Sequence, residues 1–532
     1  MALATLDFVI VGLYAFSLVA IALWISREPA GHKKDTADYF LAGKSLPWWA
    51  IGASLIAANI SAEQIIGMSG QGYKVGIAIA AYEWQAAIVL LIVAKYLLPI
   101  FLKRGVYTMP QFLDQRFGPT VKTVMSGYWL ALYTVVNLSA VLWLGALAVN
   151  TLTGMSLFWS MTSLAAFAVL YSNYGGLKAV ALTDIIQVVI LVLGGLAIAW
   201  ITMGMIGGEN GVLGGFSRLY TELPGKFEMI LAEDHPAYGD LPGIWTLLGG
   251  LWILHFSYWG FNQYIIQRAL GAKDLPEAQK GMAFAAFLKL LMPLIIVLPG
   301  IAAVMLATPE LGSVVDGKLL ETTPDRAYPE VMSIMPVGLR GLIFAALIAA
   351  IVSSLASMMN SISTIFTMDV YRSFFAKDRD ETHYVNVGRI TAIVAMVIAL
   401  MVAKPLLGNA TSAFQMIQEF TGFVAPGVVS VFFLGMFWKR INAAGALTIL
   451  VGSVLISLGL KFGAPELPFV NRIWAVFLLS SLAGIIASLI TPAPRSDQPV
   501  DLSGINFGTN RLFNTASVIV VVALVAIYAL LW

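Results

Sequence analysis

Residues 57–73 read AANISAEQIIGMSGQGY and place Asn59, Ser61, Glu63 and Gln64 inside an otherwise apolar stretch. The chain around this stretch is 532 residues long, 59% hydrophobic and only 11% charged, a composition typical of an integral membrane protein. Polar side chains are costly where they face lipid, so they are expected to face a bundle interior or a water-filled cavity. The stretch therefore predicts a broken membrane helix that carries a binding site.

A second stretch repeats the pattern about two hundred residues later. Residues 251–264 read LWILHFSYWGFNQY and place polar side chains among apolar ones at His255, Ser257, Tyr258 and Asn262. Paired interruptions at corresponding positions of two halves are typical of secondary transporters, whose substrate and ion sites lie at broken helices. The two stretches together favour one site near the middle of the membrane.

The apolar segments predict the fold class. A window of about 20 residues gives about fourteen such segments, so we expect an all-α polytopic membrane protein. Residues 157–174 and 179–206 are predicted as two separate spans. Repeats of five spans each would be inverted relative to one another, as in leucine-type transporters. Within one transport domain, 1–532, the predicted parts are an extra N-terminal helix at 5–26, repeats at 47–206 and 244–437, and three C-terminal helices within 443–532.

Composition also excludes several function classes. The chain has no cysteine and only four histidines, at scattered positions, so disulfides and thiolate metal sites are excluded. No run of Lys or Arg indicates nucleic-acid binding, and no nucleophile–base pattern indicates an enzyme. The first apolar segment follows MALATLD without a basic region and is interpreted as a retained span. Lys and Arg divide about two to one between the two sides, which predicts both termini outside the cytoplasm.

Two intramembrane charges stand out, Glu83 and Lys289. Each lies early in the second helix of its predicted repeat, and the two helices enter from opposite sides, so both side chains can approach the midplane. Intramembrane charges are functional by default, although an ion pair that only orders the bundle remains the alternative. A balanced pair of charges favours a neutral ligand over a carboxylate.

Uncharged side chains extend this candidate substrate site. Gln64 and Gln418 both donate and accept hydrogen bonds, which suits the hydroxyl groups of a polyol. Aromatic side chains near these groups can stack on the apolar face of a sugar ring or close the cavity, although ordinary packing is the alternative for any one of them: Tyr82, Tyr258, Trp259 and Phe414.

A second group of residues suits a cation. Ala350, Ser353 and Ser354 lie at helical spacing on one face, and a helix break within 57–60 would free backbone carbonyls. Carbonyl and hydroxyl ligands without a carboxylate suit a weakly bound monovalent ion. Close helix packing is the alternative for these small residues. Asp184 is a candidate for assisting ion release, or else a helix anchor.

Several motifs carry a resemblance to a known family. SLIAANISAEQ, YGGLKAV, YWGFNQYIIQR, AAIVSSLASM and GMFWKRINAAGAL occur in this order, and the chain resembles the sodium:solute symporters over nearly its whole length. The resemblance implies a multi-pass protein of a bacterial inner membrane with Na⁺ as coupling ion. It implies sugar contacts at Gln64, Glu83, Lys289 and Gln418, an outer gate of Met68, Tyr82 and Phe414, an inner gate at Tyr258 with Trp259 beside it, and sodium ligands at Ala57, Ile60, Ala350, Ser353 and Ser354.

Two positions depart from the galactose-transporting pattern of that family. A sugar-contacting Ser is replaced by Ala86, and a contacting Asn is replaced by His255. The proposed ion ligands are all retained, so the resemblance predicts sodium-driven symport of a neutral monosaccharide, galactose or glucose, across the lipid bilayer. Another polyol such as myo-inositol is the alternative substrate, and a transporter-like membrane sensor is the alternative from a different class.

Overall fold

The computed structural model describes residues 3–25, 45–106, 108–308, 323–408, 412–492 and 500–532. These residues form helices and an isolated bridge between Leu46 and Ala272. We number the helices α1 (Thr5–Ile25), α2 (Trp48–Asn59), α3 (Glu63–Lys74), α4 (Ile77–Arg104), α5 (Met109–Phe117), α6 (Pro119–Thr153), α7 (Leu157–Gly207), α8 (Gly211–Glu222), α9 (Gly243–Leu248), α10 (Gly250–His255, continued as a π-helix over Phe256–Phe261), α11 (Gln263–Leu270), α12 (Leu275–Leu306), α13 (Ala327–Ser333), α14 (Leu339–Phe374), α15 (Glu381–Leu407), α16 (Ala413–Phe437), α17 (Ala443–Gly463), α18 (Phe469–Ile490) and α19 (Arg511–Leu531).

The described part of the chain contains 10 helices that are long and apolar enough to cross a membrane, or 11 if α2 and α3 count as one bent span. A helix satisfies its own backbone hydrogen bonds, which is why apolar segments in lipid adopt it. Burial separates the helices into layers: the most apolar windows of α6 and α14 are each 89% buried, while that of α19 is only 11% buried. Helices α6 and α14 therefore lie inside the bundle, and α19 lies at its periphery.

Helix α2 is held against α12 by small residues. A Cβ added at Gly52 would lie 2.7 Å from the carbonyl oxygen of Gly281, and one at Gly281 would lie 2.8 Å from the Cβ of Ile51. Such close approach is typical of helix pairs in membranes. The backbone N–H of Trp48 also donates to Glu277 Oε2 at 2.8 Å. This crossing places the break after α2 beside the helix that carries Lys289.

The N-terminal helix is anchored to the start of α14. Asp7 accepts hydrogen bonds from the backbone N–H groups of Gly338 at 2.7 Å and Gly341 at 3.0 Å, and it forms an ion pair with Arg340 at 2.8 Å. A carboxylate at a helix N-terminus satisfies free N–H groups and interacts favourably with the helix dipole. Helix α1 thus fixes the N-terminal end of α14, the helix that contains Ser353 and Ser354.

One predicted boundary differs from the structure. Residues 157–174 and 179–206 were predicted as two spans, but the backbone forms the single helix Leu157–Gly207. The pair Gly175–Gly176 lowers helix propensity without removing any backbone donor, so it weakens a helix but does not have to end it. The side chains of residues 173–184, including that of Asp184, lie outside the described residues.

Candidate functional site

The first polar stretch is a broken helix, as its sequence predicts. Helices α2 and α3 are bent by 61° at a short break. Helix α2 ends at Asn59, and the next residue, Ile60, has non-helical angles of φ −73° and ψ 78°. The N–H of Ser61 donates to the carbonyl of Asn59 at 2.8 Å rather than to that of Ala57. The break therefore removes the regular helical partner of a carbonyl that was predicted to bind sodium.

The second polar stretch is also interrupted. Asn262 has extended backbone angles, φ −77° and ψ 123°, between the π-helix and α11. Its Oδ1 atom accepts hydrogen bonds from the N–H of Tyr264 at 3.2 Å and from the Tyr133 hydroxyl at 3.0 Å. The same hydroxyl accepts from the N–H of Gln263 at 3.0 Å. Tyr133 on α6 therefore satisfies the polar groups that this break exposes.

The two intramembrane charges form a buried ion pair. Lys289 Nζ lies 2.6 Å from Glu83 Oε2, and each side chain is only 1% exposed. The ammonium group also donates to Asn59 Oδ1 and lies 5.0 Å from the ring centre of Trp259, within the range of a cation–π contact. A buried pair requires such additional partners to offset its desolvation. Asn59 in turn donates to the Tyr258 hydroxyl at 3.3 Å.

A cavity adjoins this pair, and both charged side chains line it. Its wall contains five residues that were predicted to contact substrate: Gln64, Glu83, His255, Lys289 and Gln418. Three predicted gate residues, Tyr82, Tyr258 and Trp259, also line it. Within the described structure, Gln64 Oε1, Glu83 Oε1 and His255 Nε2 are buried without a hydrogen-bond partner. Buried polar atoms are usually satisfied, so these atoms are candidates to bind a ligand.

Ala86 is the predicted contact residue that is not in this wall. It is buried, 1% exposed, about one helical turn after Glu83 on α4, and the cavity lining does not include it. Its influence on the sugar remains a prediction.

The predicted outer-gate residues pack together. Tyr82 and Phe414 meet edge to face with ring centres 5.3 Å apart, and Met68 and Phe414 are fully buried. Nearby, Gln71 Nε2 donates to Ser412 Oγ at 2.6 Å, which joins α3 to the N-terminus of α16. These contacts join α3, α4 and α16 at the Phe414 end of α16.

A loop carboxylate, Asp325, contacts the same end of α16. Asp325 Oδ2 accepts from the N–H of Ala413 at 3.0 Å. The neighbouring Pro324 packs closely on α3, because a Cβ added at Gly70 would lie only 2.3 Å from its carbonyl oxygen. Burial raises the pKa of Asp325 to about 6, and the hydrogen bond from Ala413 partly opposes this effect. Asp325 therefore ties the loop before α13 to the helix that carries Phe414 and Gln418.

The predicted sodium ligands lie on two helices that face each other. Ala57, Ile60, Ala350, Ser353 and Ser354 are all buried. The Ser354 hydroxyl lies 3.5 Å from the carbonyl of Ala58 and donates to it, so this face of α14 meets the break at the end of α2. Carbonyl and hydroxyl oxygens converge here, which is the donor set that a monovalent cation requires.

A buried arginine joins the helices next to this group. Arg268 is fully buried; it donates to Ser54 Oγ and to Ser357 Oγ, both at 2.8 Å, and also to the carbonyl of Tyr264. It thereby connects α11, α2 and α14, all close to the predicted cation ligands. The sequence placed Arg268 only at the end of a motif and gave it no role.

Two further residues at the site were not assigned from the sequence. Asn59 bridges Lys289 and Tyr258, and Glu63 Oε1 accepts from Gln418 Nε2 at 3.0 Å. Both belong to the polar cluster of residues 57–73, so the signal that marked Gln64 also marked them. Their partners could not be inferred because these depend on how the helices cross.

Comparison with known proteins agrees with this geometry. The family model described as "Sodium:solute symporter family" matches residues 39–452. A sodium/glucose cotransporter of Vibrio parahaemolyticus is 48% identical over 100% of this chain and 99% of its own length. A sodium/myo-inositol cotransporter of Canis lupus familiaris is 33% identical over 93% of this chain and 75% of its own.

Solved structures share the fold at lower sequence identity. A Na⁺-coupled sialic acid symporter in a substrate-bound outward-open state aligns with a TM-score of 0.79 at 21% identity, covering 92% of this chain and 99% of the other. A nucleobase-cation-symport-1 family transporter in a closed conformation aligns with a TM-score of 0.56 at 16% identity, covering 88% and 98%. These likenesses show the fold, and the matches in sequence show that this chain, a transporter and not an enzyme, belongs to the sodium:solute symporter family.

Proposed function

We propose that this protein couples the inward movement of Na⁺ to the uptake of a neutral monosaccharide, galactose or glucose, by alternating access. One observation carries the proposal: Asn59 lies at the break that leaves the carbonyl of Ala57 without its regular helical partner, and it accepts a hydrogen bond from Lys289 in the cavity wall. A single turn of backbone thus borders both the cation position and the substrate position. An ion that orders this turn also orders the substrate cavity.

The chemistry of the cavity supports a polyhydroxyl substrate. Lys289 donates, Glu83 accepts, and the amides Gln64 and Gln418 do both. A sugar hydroxyl also both donates and accepts, so several hydroxyls around a ring can satisfy this mixed set. Trp259 and Tyr258 in the wall provide apolar faces for the C–H groups of the ring.

Sodium is the coupling ion in this proposal, held by the carbonyls of Ala57, Ile60 and Ala350 and the hydroxyls of Ser353 and Ser354. Ser354 already contacts the backbone of α2 through Ala58. Binding a cation between α2 and α14 would hold these helices at one separation, and this gives the ion a means to favour one conformation over another.

We assign the helices to a five-plus-five inverted repeat, with 47–206 and 244–437 as the repeats, one helix before them and three helices within 443–532 after them. The broken pairs α2–α3 and α10–α11 begin the two halves, as such a repeat requires. The distribution of Lys and Arg favours both termini outside the cytoplasm, and the bacterial relative makes an inner membrane the expected location.

Myo-inositol is the second candidate substrate. It is also a neutral ring of hydroxyls, and a myo-inositol cotransporter is among the relatives that match over most of this chain. His255 stands where the galactose-transporting pattern has a contacting Asn, so the hydrogen bonds available to one edge of the sugar ring differ from that pattern. The choice among these sugars therefore depends on the ring edge that faces His255.

The test is uptake of labelled galactose, glucose and myo-inositol into proteoliposomes, with and without an inward sodium gradient. We expect accumulation of at least one of them only with the gradient, and a severe loss in Ser354→Ala, which removes a ligand oxygen. Ser480→Ala is the matched control, because Ser480 is a fully buried serine on the outer helix α18. Sodium dependence that is unchanged in Ser354→Ala would contradict the ion assignment. Absence of uptake for every labelled sugar would contradict the proposed sugar transport.

A further inference from the structure

The charges that line the cavity do not balance among the described residues. Glu63, Glu83 and Lys289 all line it. Lys289 is paired with Glu83 at 2.6 Å, and no Lys or Arg of the described chain pairs with Glu63. His255 counts as neutral here, because a second cation beside Lys289 in a buried space would be costly. The cavity therefore has one carboxyl group more than it has cations.

Glu63 is held in place but not neutralised. Its side chain is 8% exposed, and its Oε1 atom accepts from Gln418 Nε2 at 3.0 Å. Gln418 is an uncharged amide, so it orients the carboxyl group without compensating its charge. A carboxyl group in such a position requires a proton or a cation. Since it lines the substrate cavity, the substrate itself can supply that cation.

Several hydrogen-bond acceptors in the cavity wall lack a donor. Gln64 Oε1 and Glu83 Oε1 are buried acceptors without donors within the described structure, and Glu63 Oε2 adds a third acceptor with no hydrogen bond from the described residues. A hydroxyl group supplies one donor, whereas an alkylammonium group supplies three and carries a positive charge. The Tyr82 hydroxyl and His255 Nε2 of the wall are also unpaired within the described structure, so it is the charge of Glu63 that favours an ammonium over a hydroxyl.

We propose that Glu63 is a specificity-determining residue that lets this transporter bind amino sugars, meaning monosaccharides with one hydroxyl replaced by an ammonium group, more tightly than neutral sugars. This inference rests on the proposed function, since it concerns the same cavity. A neutral sugar still binds, because a hydroxyl can donate to Glu63. The ammonium group adds the charge that the cavity lacks.

The size of the preference follows from the charge of the ammonium group. A hydroxyl and an ammonium group can both donate to the Glu63 carboxylate, but only the ammonium adds the attraction between opposite charges. We expect this addition to raise the affinity about tenfold. Only the isomer whose amine lies at Glu63 gains this advantage, so the position of the amine on the ring matters.

The experiment is competition against sodium-driven uptake of the labelled neutral sugar in proteoliposomes. The competitors are glucose and the four aminodeoxyglucoses with the amine at carbon two, three, four or six, at a pH slightly above 7, so that acid in the medium does not protonate Glu63. We expect at least one isomer to compete about tenfold better than glucose. If none competes better than glucose, the inference is overturned while the uptake itself still supports the proposed function.

The variants then test the residue. In Glu63→Gln, which keeps an acceptor for Gln418, the ratio of the inhibition constants of glucose and the preferred isomer should fall about tenfold. Because the readout is a ratio within one protein, it does not depend on the overall rate. Glu419→Gln is the control: Glu419 follows Gln418 on the same helix but pairs with Lys461 at 3.1 Å and Arg472 at 2.7 Å outside the cavity, and its ratio should match the wild type. An amine advantage that persists in Glu63→Gln would overturn the role of Glu63. Should that variant not fold, the ranking of the isomers by the wild type alone decides the inference.

Discussion

Removal of Lys289 should destabilise the protein and abolish sugar binding for two separable reasons. Glu83 and Lys289 are each 1% exposed and lie 2.6 Å apart, so Lys289→Ala leaves a buried carboxylate without its cation. Breaking a buried pair in this way costs about 3–5 kcal/mol. The loss of the donor to Asn59 adds to the cost, because a buried acceptor loses its partner.

A second substitution separates stability from binding. Glu83→Gln in the Lys289→Ala background removes the uncompensated charge, so most of the lost stability should return. Sugar affinity should not return, because the ammonium donor and the carboxylate acceptor are both gone. The measurements are thermal unfolding of the detergent-solubilised protein and equilibrium titration with sugar, for the wild type, both single variants and the double variant.

An exposed pair of equal length supplies the control. Lys74 Nζ lies 2.6 Å from Asp240 Oδ2, but their side chains are 41% and 20% exposed. Exposed pairs contribute about 0–1 kcal/mol, so Lys74→Ala should change stability little and leave sugar binding intact. The reasoning fails if the double variant is as unstable as Lys289→Ala, or if Lys289→Ala binds sugar normally. The latter result would make the pair purely structural.

Three further predictions concern the sugar specificity set by His255 and Ala86, the loop that carries Asp325, and the helix break at Asn262. His255→Asn and Ala86→Ser restore the galactose pattern, so both should shift the ranking of galactose over glucose in competition uptake; an identical ranking in both variants would remove them from the specificity argument. Because the folded-state pKa of Asp325 is raised to about 6, the native protein binds its proton more tightly than the unfolded chain, and this contribution to thermal stability is present at acidic pH and falls as pH rises through about 6. Asp325→Asn keeps an acceptor for Ala413 and should remove that component of the pH profile, whereas a profile equal to that of the wild type would exclude Asp325 as its source. Tyr133→Phe removes the hydroxyl that bonds to Asn262 and to the N–H of Gln263, at a cost of about 1–3 kcal/mol of stability, while Tyr128→Phe, which loses only a 3.4 Å bond to the carbonyl of Leu450, should unfold near the wild-type temperature.

The sequence predicted the site through polarity, since polar residues in apolar segments have few explanations other than a cavity or a helix contact. Glu83, Lys289, Gln64 and Gln418 were identified in this way, and the structure brings all four to one cavity. The bond between Glu63 and Gln418 was not predictable, because it joins residues 355 positions apart and depends on the crossing of α3 and α16.

Helix ends were predictable where the chain changes composition, and less so where glycine is the only signal. The break after α2 follows from polar residues that compete with the helix for hydrogen bonds. At Gly175–Gly176 the sequence suggested a boundary between two spans, but the backbone continues through it in α7. A glycine pair reduces helix propensity by only about 2 kcal/mol and leaves every backbone N–H in place, so it does not have to end a helix.

Asn59 shows how a local backbone break can couple two ligands. Its backbone ends α2, where Ser61 has turned its N–H away from the carbonyl of Ala57, and its side chain connects Lys289 to Tyr258. A ligand shifts a conformational equilibrium only by its difference in affinity for the two states. A cation held by carbonyls of this turn binds well only when the turn has this shape, and the same shape places Asn59 against Lys289. In the proposed mechanism, sugar binding at Lys289 favours the conformation that sodium requires, and by linkage each ligand raises the affinity of the other by the same factor.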